Sequence, residues 1–291
     1  MTCELCPRRC RADRTTTFGY CKMPMTPLAA LAGPHFGEEP CIAGYGGAGT
    51  VFFSGCNLGC VYCQNRAISR DGAGKAITVE RLAEIFRELE ENGADCIDLV
   101  TPTHFADAVV KALTLAKPTV PVVYNCGGYE RVETLRMLEG LVDVYLPDYK
   151  YADASLARRL SNAPDYPTVA LRAIREMVRQ TGKPVFDEDG LLQKGTLIRH
   201  LVLPGYVENT LDCLDTLTAA FGEDEVLLSV MSQYTPPAEP LPDPNLNRRL
   251  TAAEYDRVLD YLYLLGNENV FVQELSAASE FYVPTFDGTG V

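Results

Sequence analysis

Seven of the chain's eleven cysteines fall in two groups whose spacing suits metal chemistry. Cys3, Cys6, Cys10 and Cys21 form C-x2-C-x3-C-x10-C, and Cys56, Cys60 and Cys63 form C-x3-C-x2-C. Cys41, Cys96, Cys126 and Cys213 stand alone. The thiolate is the metal ligand, and several thiolates on one loop can serve one centre. Structural zinc normally takes four ligands, yet Ser54–Asn65, SGCNLGCVYCQN, holds three cysteines and no histidine. A cubane iron–sulfur cluster normally takes one thiolate per iron, so three thiolates leave one iron open to a non-protein ligand. The four-cysteine group suits zinc and an iron–sulfur cluster equally, and its metal stays undecided at this level. The bland alternatives are buried apolar thiols or zinc completed by a distant ligand. Zinc in both groups would make the chain a binding scaffold rather than an enzyme.

These cysteines need elements to position them. Apolar, β-branched runs predict buried strands at Thr50–Ser54, Cys96–Thr101, Val120–Asn125, Val142–Leu146, Thr196–Leu203 and Val226–Ser232. Helical periodicity predicts helices at Val79–Asn92, Phe105–Ala116, Tyr129–Leu138, Ala170–Thr181, Glu208–Phe221 and Ala252–Leu265. Six β–α alternations imply parallel strands with crossover helices, as a barrel or a doubly wound sheet, and fall short of a closed eight-unit barrel. The three-cysteine loop directly follows the first of these strands, on the face where parallel α/β proteins do chemistry. Residues 1–43 read as a cysteine-rich metal-binding lobe, 44–268 as the barrel and 269–291 as a C-terminal extension. The glycine run Gly44–Gly49 precedes a strand and lacks a following Gly-Lys-Ser/Thr, so it is not a phosphate loop.

The chain has 291 residues, 26 basic and 39 acidic side chains and a net charge of −13. Its 47% hydrophobic and 22% charged residues exclude wholesale disorder. No apolar run approaches the roughly 18 residues that span a bilayer. No apolar stretch in MTCELCPRRC supports a secretory signal, and reduced thiols imply a cytoplasmic protein. The acidic balance argues against a nucleic-acid partner. Locally the sign reverses: Arg8, Arg9, Arg11, Arg14 and Lys22 make the cysteine-rich lobe basic, a surface on which an acidic electron donor could dock.

C-x3-C-x-aromatic-C resembles the signature of the radical S-adenosylmethionine (SAM) enzymes. The resemblance implies an α/β fold, a partial (β/α)6 TIM-type barrel. It also implies that Cys56, Cys60 and Cys63 hold a [4Fe-4S] cluster whose open iron binds SAM. Reduction then cleaves SAM to methionine and a 5′-deoxyadenosyl radical, which abstracts a hydrogen atom. CNLGCVYCQN is most similar to the branch that activates glycyl radical enzymes, typified by the pyruvate formate-lyase activating enzyme. That branch implies a glycyl radical enzyme as partner and flavodoxin or ferredoxin as electron donor. The alternative within the class is modification of a small molecule or peptide.

The likeness continues along the barrel. Tyr62 holds the aromatic position that lies beside the adenine in the family. VVYNCGG, Val122–Gly128, is similar to a strand end that places Asn125 and Cys126 near the sulfonium. Asp148-Tyr149-Lys150 resembles a strand end whose lysine meets the SAM carboxylate. Ile198-Arg199-His200 resembles a strand whose arginine helps to hold SAM. Gln233 and Tyr234 end the sixth strand at the same mouth. Where the family carries Gly-Gly-Glu for the SAM amino group, this chain has Thr101-Pro102-Thr103-His104, so the hydroxyls of Thr101 and Thr103 are the expected acceptors. His104 is expected at the mouth, His35 and His200 as structural histidines, and the alternative for Asp148 with Lys150 is a plain ion pair.

Overall fold

A parallel strand covered on both faces reads as a continuous apolar run. In the computed structural model, which describes residues 2–267, 269–277 and 284–291, all six expected runs are strands. Among the described residues the strands are β1 (Leu28–His35), β2 (Ala48–Phe53), β3 (Lys75–Ala76), β4 (Cys96–Val100), β5 (Val122–Cys126), β6 (Val144–Pro147), β7 (Val185–Phe186), β8 (Leu192–Leu201), β9 (Leu227–Met231) and β10 (Val270–Val272). They form one sheet in the order β10-β9-β8-β6-β5-β4-β2-β1-β3, with β7 pairing beside β8. From β2 to β10 every neighbour along this order is parallel, while β1 runs antiparallel to β2 and the short β3 antiparallel to β1 at that edge.

The sheet curls. Ala48, Cys96, Val123, Val144, Leu197 and Leu227 come from six different strands yet meet in one apolar cluster, which Cys41 and Ile42 complete from the β1–β2 connection. Alternate residues of the same strands, among them Val51, Phe53, Ile97, Leu99, Tyr124, Tyr145 and Ile198, pack outward into a larger core with the helices. The period of two along a strand therefore separates a barrel interior from a helix layer. Each fully buried aliphatic side chain contributes about 1.5–3 kcal/mol, far more than an exposed ion pair. The architecture is α/β, an open and mostly parallel sheet of the partial TIM-barrel type.

Helix α2 (Val79–Glu91) follows α1 (Arg66–Ser69). It buries Leu82, Ile85, Phe86 and Leu89 behind a Thr78 cap that accepts the Arg81 N–H at 3.1 Å. The crossover helices continue as α3 (Ala106–Ala116), α4 (Val132–Met137), α5 (Ala154–Ser161), α6 (Tyr166–Thr181), α7 (Val207–Ala220) and α8 (Ala252–Leu265). Helix α6 starts four residues before the expected Ala170, because Pro167 occupies a first-turn position where proline is favoured rather than breaking. Two segments outside 44–268 join the sheet, β1 between β2 and β3, and β10 at the opposite edge. The expected boundary at 268 falls on a residue outside those described. No helix among the described residues is long and apolar enough to cross a membrane.

The cysteine-rich segment docks on the barrel through buried Arg14. Its guanidinium donates to the Met23 carbonyl at 3.1 Å and to the carbonyls of Pro24 and His104, and it lies over the Phe105 ring. Arg14→Ala would leave three carbonyls without their donor, each worth about 1–3 kcal/mol when buried. Urea unfolding should show a loss of about 2 kcal/mol or more, and trypsin should cut within residues 2–24. Stability within about 0.5 kcal/mol of the parent, the range of a neutral surface change, would show that the segment is not docked this way.

Candidate active site at the cysteine loop

Strand β2 ends at Phe53, and the chain turns through Gly55 into the cysteine loop. Gly55 has φ +84°, and a side chain there would run into Met23, the Cys21 carbonyl and the His104 ring. The loop is pinned from two sides. Arg8, between Cys6 and Cys10, donates to the carbonyls of Asn57 at 2.8 Å and Leu58 at 3.3 Å. It also reaches the Ser161 carbonyl at 2.8 Å and that of Asn162, at the end of α5. The Asn57 side chain donates to the Tyr129 carbonyl at 2.6 Å, and the Val61 N–H to Leu160 at 2.9 Å. Four carbonyls on one guanidinium fix the loop against both the lobe and α5.

The three sulfurs sit among hydrogen-bond donors. The Leu58 N–H points at the Cys56 sulfur (3.4 Å), the Ser161 hydroxyl at Cys60 (3.0 Å) and the Ser69 hydroxyl at Cys63 (3.3 Å). Burial, then the neighbouring Cys60 and Cys63, pushes the Cys56 thiol up to about 12. Burial and Cys60 likewise raise Cys63. Such thiols ionise when a metal centre repays the desolvation. Among the described residues no three His, Cys, Asp or Glu side chains converge to chelate a single ion. A cluster asks something different, since each thiolate meets its own iron. Three thiols on one loop, feeling one another's charge and ringed by N–H and O–H donors, fit that demand.

Beside the loop lies a cavity of about 220 Å³ lined by Cys60, Tyr62, Cys63, Asn125, Asp148, Lys150, Arg199, Gln233 and Tyr234. Strand ends supply the charged groups. Arg199 donates to Asp148 at 3.2 Å and to the Asn125 side-chain oxygen at 2.6 Å, and Lys150 meets the second Asp148 oxygen at 2.5 Å. Burial opposes the Asp148 charge, yet Lys150 and Arg199 together hold its carboxyl below the ordinary range. Burial likewise opposes the Lys150 charge, and Asp148 and Cys60 still raise it. The buried Tyr166 hydroxyl accepts the Lys150 N–H at 2.9 Å and lies 2.8 Å from the Asp148 carbonyl, so these two strand-end residues keep their spacing. Tyr62 and Tyr151 share a hydrogen bond of 2.7 Å, which fixes the Tyr62 ring at the cavity wall.

Several expected residues lie elsewhere. Neither Thr101 nor Thr103 lines the cavity. Thr103 donates its hydroxyl to Glu130 at 2.6 Å, and the Thr101 N–H donates to the Asn125 carbonyl at 2.8 Å. Cys126 points into the outer core with Phe105 and Tyr129, because it is one residue out of phase with the inward Asn125. His104 is buried against the Ser54 carbonyl (2.6 Å) below Gly55, and burial lowers its pKa to about 4. His200 bridges the Tyr149 carbonyl and the Thr210 hydroxyl, while His35 lines the mouth cavity.

Sequence reasoning misses Glu38. It comes from the β1–β2 connection, accepts from Arg199 and Asn125 at 2.9 Å each and lines the cavity. It also misses Asp98, a carboxyl on the inward face of β4 whose signal was a charge inside an apolar run.

In the lobe, Cys6, Cys10 and Cys21 each accept the backbone N–H two residues on, from Arg8, Ala12 and Met23. Burial pushes Cys6 up to about 12 and raises Cys21. Cys10 lies below its ordinary value: its slight burial is outweighed by the N–H groups of Ala12 and Tyr20.

A model of the radical SAM superfamily matches residues 50–217. The chain is 30% identical over 270 residues to the uncharacterized protein MJ0674 of Methanocaldococcus jannaschii, covering 89% of this chain and 73% of that one. The chain belongs to the radical SAM superfamily. The family implies a [4Fe-4S] cluster, and SAM is its substrate. Among solved structures, SuiB of Streptococcus suis bound to S-adenosylmethionine superposes with a TM-score of 0.54 at 15% identity, covering 78% of this chain and 52% of SuiB. SuiB bound to precursor peptide SuiA gives 0.52 at 14% identity, with 78% and 51% covered. The chain spans about half of SuiB, and at this identity the likeness is one of fold.

One buried group behind the site gives a clean titration. Glu130 accepts from Thr103 with one oxygen, while the other has no partner among the described residues, and burial pushes its carboxyl up to about 8. A folded-state pKa above the unfolded value of about 4.3 means the protonated form is favoured on folding. Its contribution is complete at acid pH and is lost as pH rises toward 8. The Glu130→Gln variant keeps the acceptor for Thr103 and does not titrate. Between pH 5 and 8 the parent should therefore lose stability relative to Glu130→Gln by about 1.4 kcal/mol per pH unit. Parallel stability curves over that window would contradict the assignment.

Proposed function

We propose that the chain binds SAM in the mouth cavity, cleaves it reductively and directs hydrogen-atom abstraction at a polypeptide segment of a partner protein, as a glycyl radical enzyme activase. The observation that carries this reading is one cavity of about 220 Å³ shared by Cys60, Cys63, Tyr62, Asn125, Asp148, Lys150 and Arg199. Cys56, Cys60 and Cys63 would hold the [4Fe-4S] cluster, which supplies the electron that splits SAM. Lys150 and Arg199 offer cationic donors to the methionine carboxylate, Asn125 an amide at the strand end, and Tyr62 a fixed ring for the adenine. Tyr62, Tyr234 and Met231 add apolar surface to the cavity wall.

A groove of about 560 Å³ supports a polypeptide substrate. It runs between Tyr62, Cys63, Gln64 and Arg66 and the proline-rich Thr235–Leu241 segment, and it shares three of these residues with the mouth cavity. A second reading, modification of a small molecule or peptide, is favoured by a side cavity described below.

The four thiols of the lobe would hold a second metal, zinc or an iron–sulfur centre. Of the basic residues there, Arg8 and Arg14 are spent on the docking contacts, while Arg9, Arg11 and Lys22 are exposed. That exposed set is where flavodoxin or ferredoxin would dock, in the reducing cytoplasm where eleven free thiols persist.

Anaerobic reconstitution should give about four irons and four sulfides for the three-cysteine site. Reduction with dithionite and addition of SAM should then yield 5′-deoxyadenosine, and Cys56→Ala should yield none. Zinc without sulfide would make the chain a scaffold and overturn the enzyme reading. A glycyl radical signal on a co-expressed partner by electron paramagnetic resonance would support the activase role. SAM cleavage without any protein radical would move the substrate to the second reading.

A further inference from the structure

The barrel interior holds more acid than base. Among the described residues Lys150 and Arg199 are its cations, and they pair with Asp148 and Glu38. Glu39 and Asp98 make no ion pair among the described residues. Glu39 is buried, and among the described residues its hydrogen-bond donor is the Ser229 hydroxyl, at 2.9 Å. Asp98 is fully buried on the inward face of β4. One of its oxygens faces the Thr50 hydroxyl at 3.4 Å, and the other has no partner among the described residues. Two unpaired carboxylates in such a place would cost several kcal/mol each, so both sit high. Burial brings Glu39 to about 7, and burial with the neighbouring Glu38 raises Asp98 well above the carboxylate range.

Glu39 lines a second cavity of about 470 Å³, on the open side of the barrel between Phe36–Pro40 and β10, and Asp98 stays outside its lining. Glu38, Glu39 and Glu274 line it, with Ser229 and Gln273, and among the described residues Arg199 is the cation that faces them. Glu38, Arg199, Met231 and Gln233 also line the mouth cavity, so one wall separates the two spaces. A molecule in the side cavity would thus have its neighbouring carbons against the SAM space.

We propose that this side cavity is the substrate subsite and that it takes a cationic group of the substrate, a primary ammonium, on Glu39 and Glu38, with Asp98 behind them. The proposal deepens the SAM-cleaving reading above by naming the substrate's chemical class. An entering ammonium brings the charge that the interior lacks and gives Glu39 an ionised partner where it now has a hydroxyl. An anionic substrate would add a further negative charge to an acid-rich interior. A neutral one would leave the unpaired carboxyls as they are. The ammonium can belong to a free amine or to a lysine side chain in a polypeptide.

Calorimetric titration of the reconstituted full chain with Nα-acetyl-lysinamide and its uncharged counterpart Nα-acetyl-norleucinamide tests this. A charge-assisted hydrogen bond contributes about 1.5–3 kcal/mol, so the lysine compound should bind about tenfold tighter or better. Glu39→Gln should remove most of that preference, and a melting curve confirms that this near-isosteric variant is folded. Pentylamine and a lysine-containing hexapeptide separate the sources. Tighter binding of the peptide assigns the ammonium to a polypeptide, and equal binding assigns it to a free amine. Equal affinity for the lysine and norleucine compounds, or a preference that survives Glu39→Gln, would overturn the subsite. SAM affinity, measured on the same sample, keeps the two readings apart. Binding of SAM with no amine preference sinks only the subsite, and amine preference with no SAM binding sinks only the SAM assignment.

Discussion

A guanidinium inside a barrel must be surrounded by acceptors, because a buried charge without a partner costs several kcal/mol. Arg199 meets that demand with three groups from three places. Asp148 comes from the end of β6, Asn125 from β5, and Glu38 from the connection that precedes β2. Removing any one leaves a buried charge or amide unsatisfied, so the network holds the strand ends in one arrangement. Lys150 is tied into it through Asp148 and held in place by the Tyr166 hydroxyl. The mouth cavity has its shape because these contacts hold.

The second constraint acts on the cysteine loop. A loop that presents three thiols has little regular hydrogen bonding of its own, so its carbonyls need outside donors. Arg8 of the lobe and the end of α5 meet that need, and Gly55 lets the lobe approach closely enough. The lobe is therefore more than a second cluster of thiols at the start of the chain. It is part of the wall that holds the loop of Cys56, Cys60 and Cys63.

Where reading the chain residue by residue went astray, the error was one of facing direction. Asn125 and Cys126 both lie at the end of β5, and only the first turns inward, because side chains alternate along a strand. Thr103 carries the right hydroxyl at the right strand end, yet that hydroxyl is taken by Glu130 from another turn of the chain. Asp98 was detectable as a charge inside CIDLV. Glu38 and Glu39 gave no local sign, since nothing in FGEEP shows that the connection folds back beneath the sheet. Helix α6 began early because Pro167 sits where a proline starts a helix.

The order of strands and helices and the cysteine spacing were legible in the chain itself, whereas Asp148, Lys150 and Arg199 were named through the family resemblance. The first two depend on local periodicity and on ligand count. Only the folded structure decided which thiols, carboxyls and cations share a space. Contacts such as Arg8 with Leu58 or Glu38 with Arg199 join residues far apart in sequence, and their pairing follows from how the sheet curls. The balance of charge inside the barrel belongs to that second kind. A count of 39 acids and 26 bases says nothing about the four carboxyls and two cations that the curl gathers into one interior.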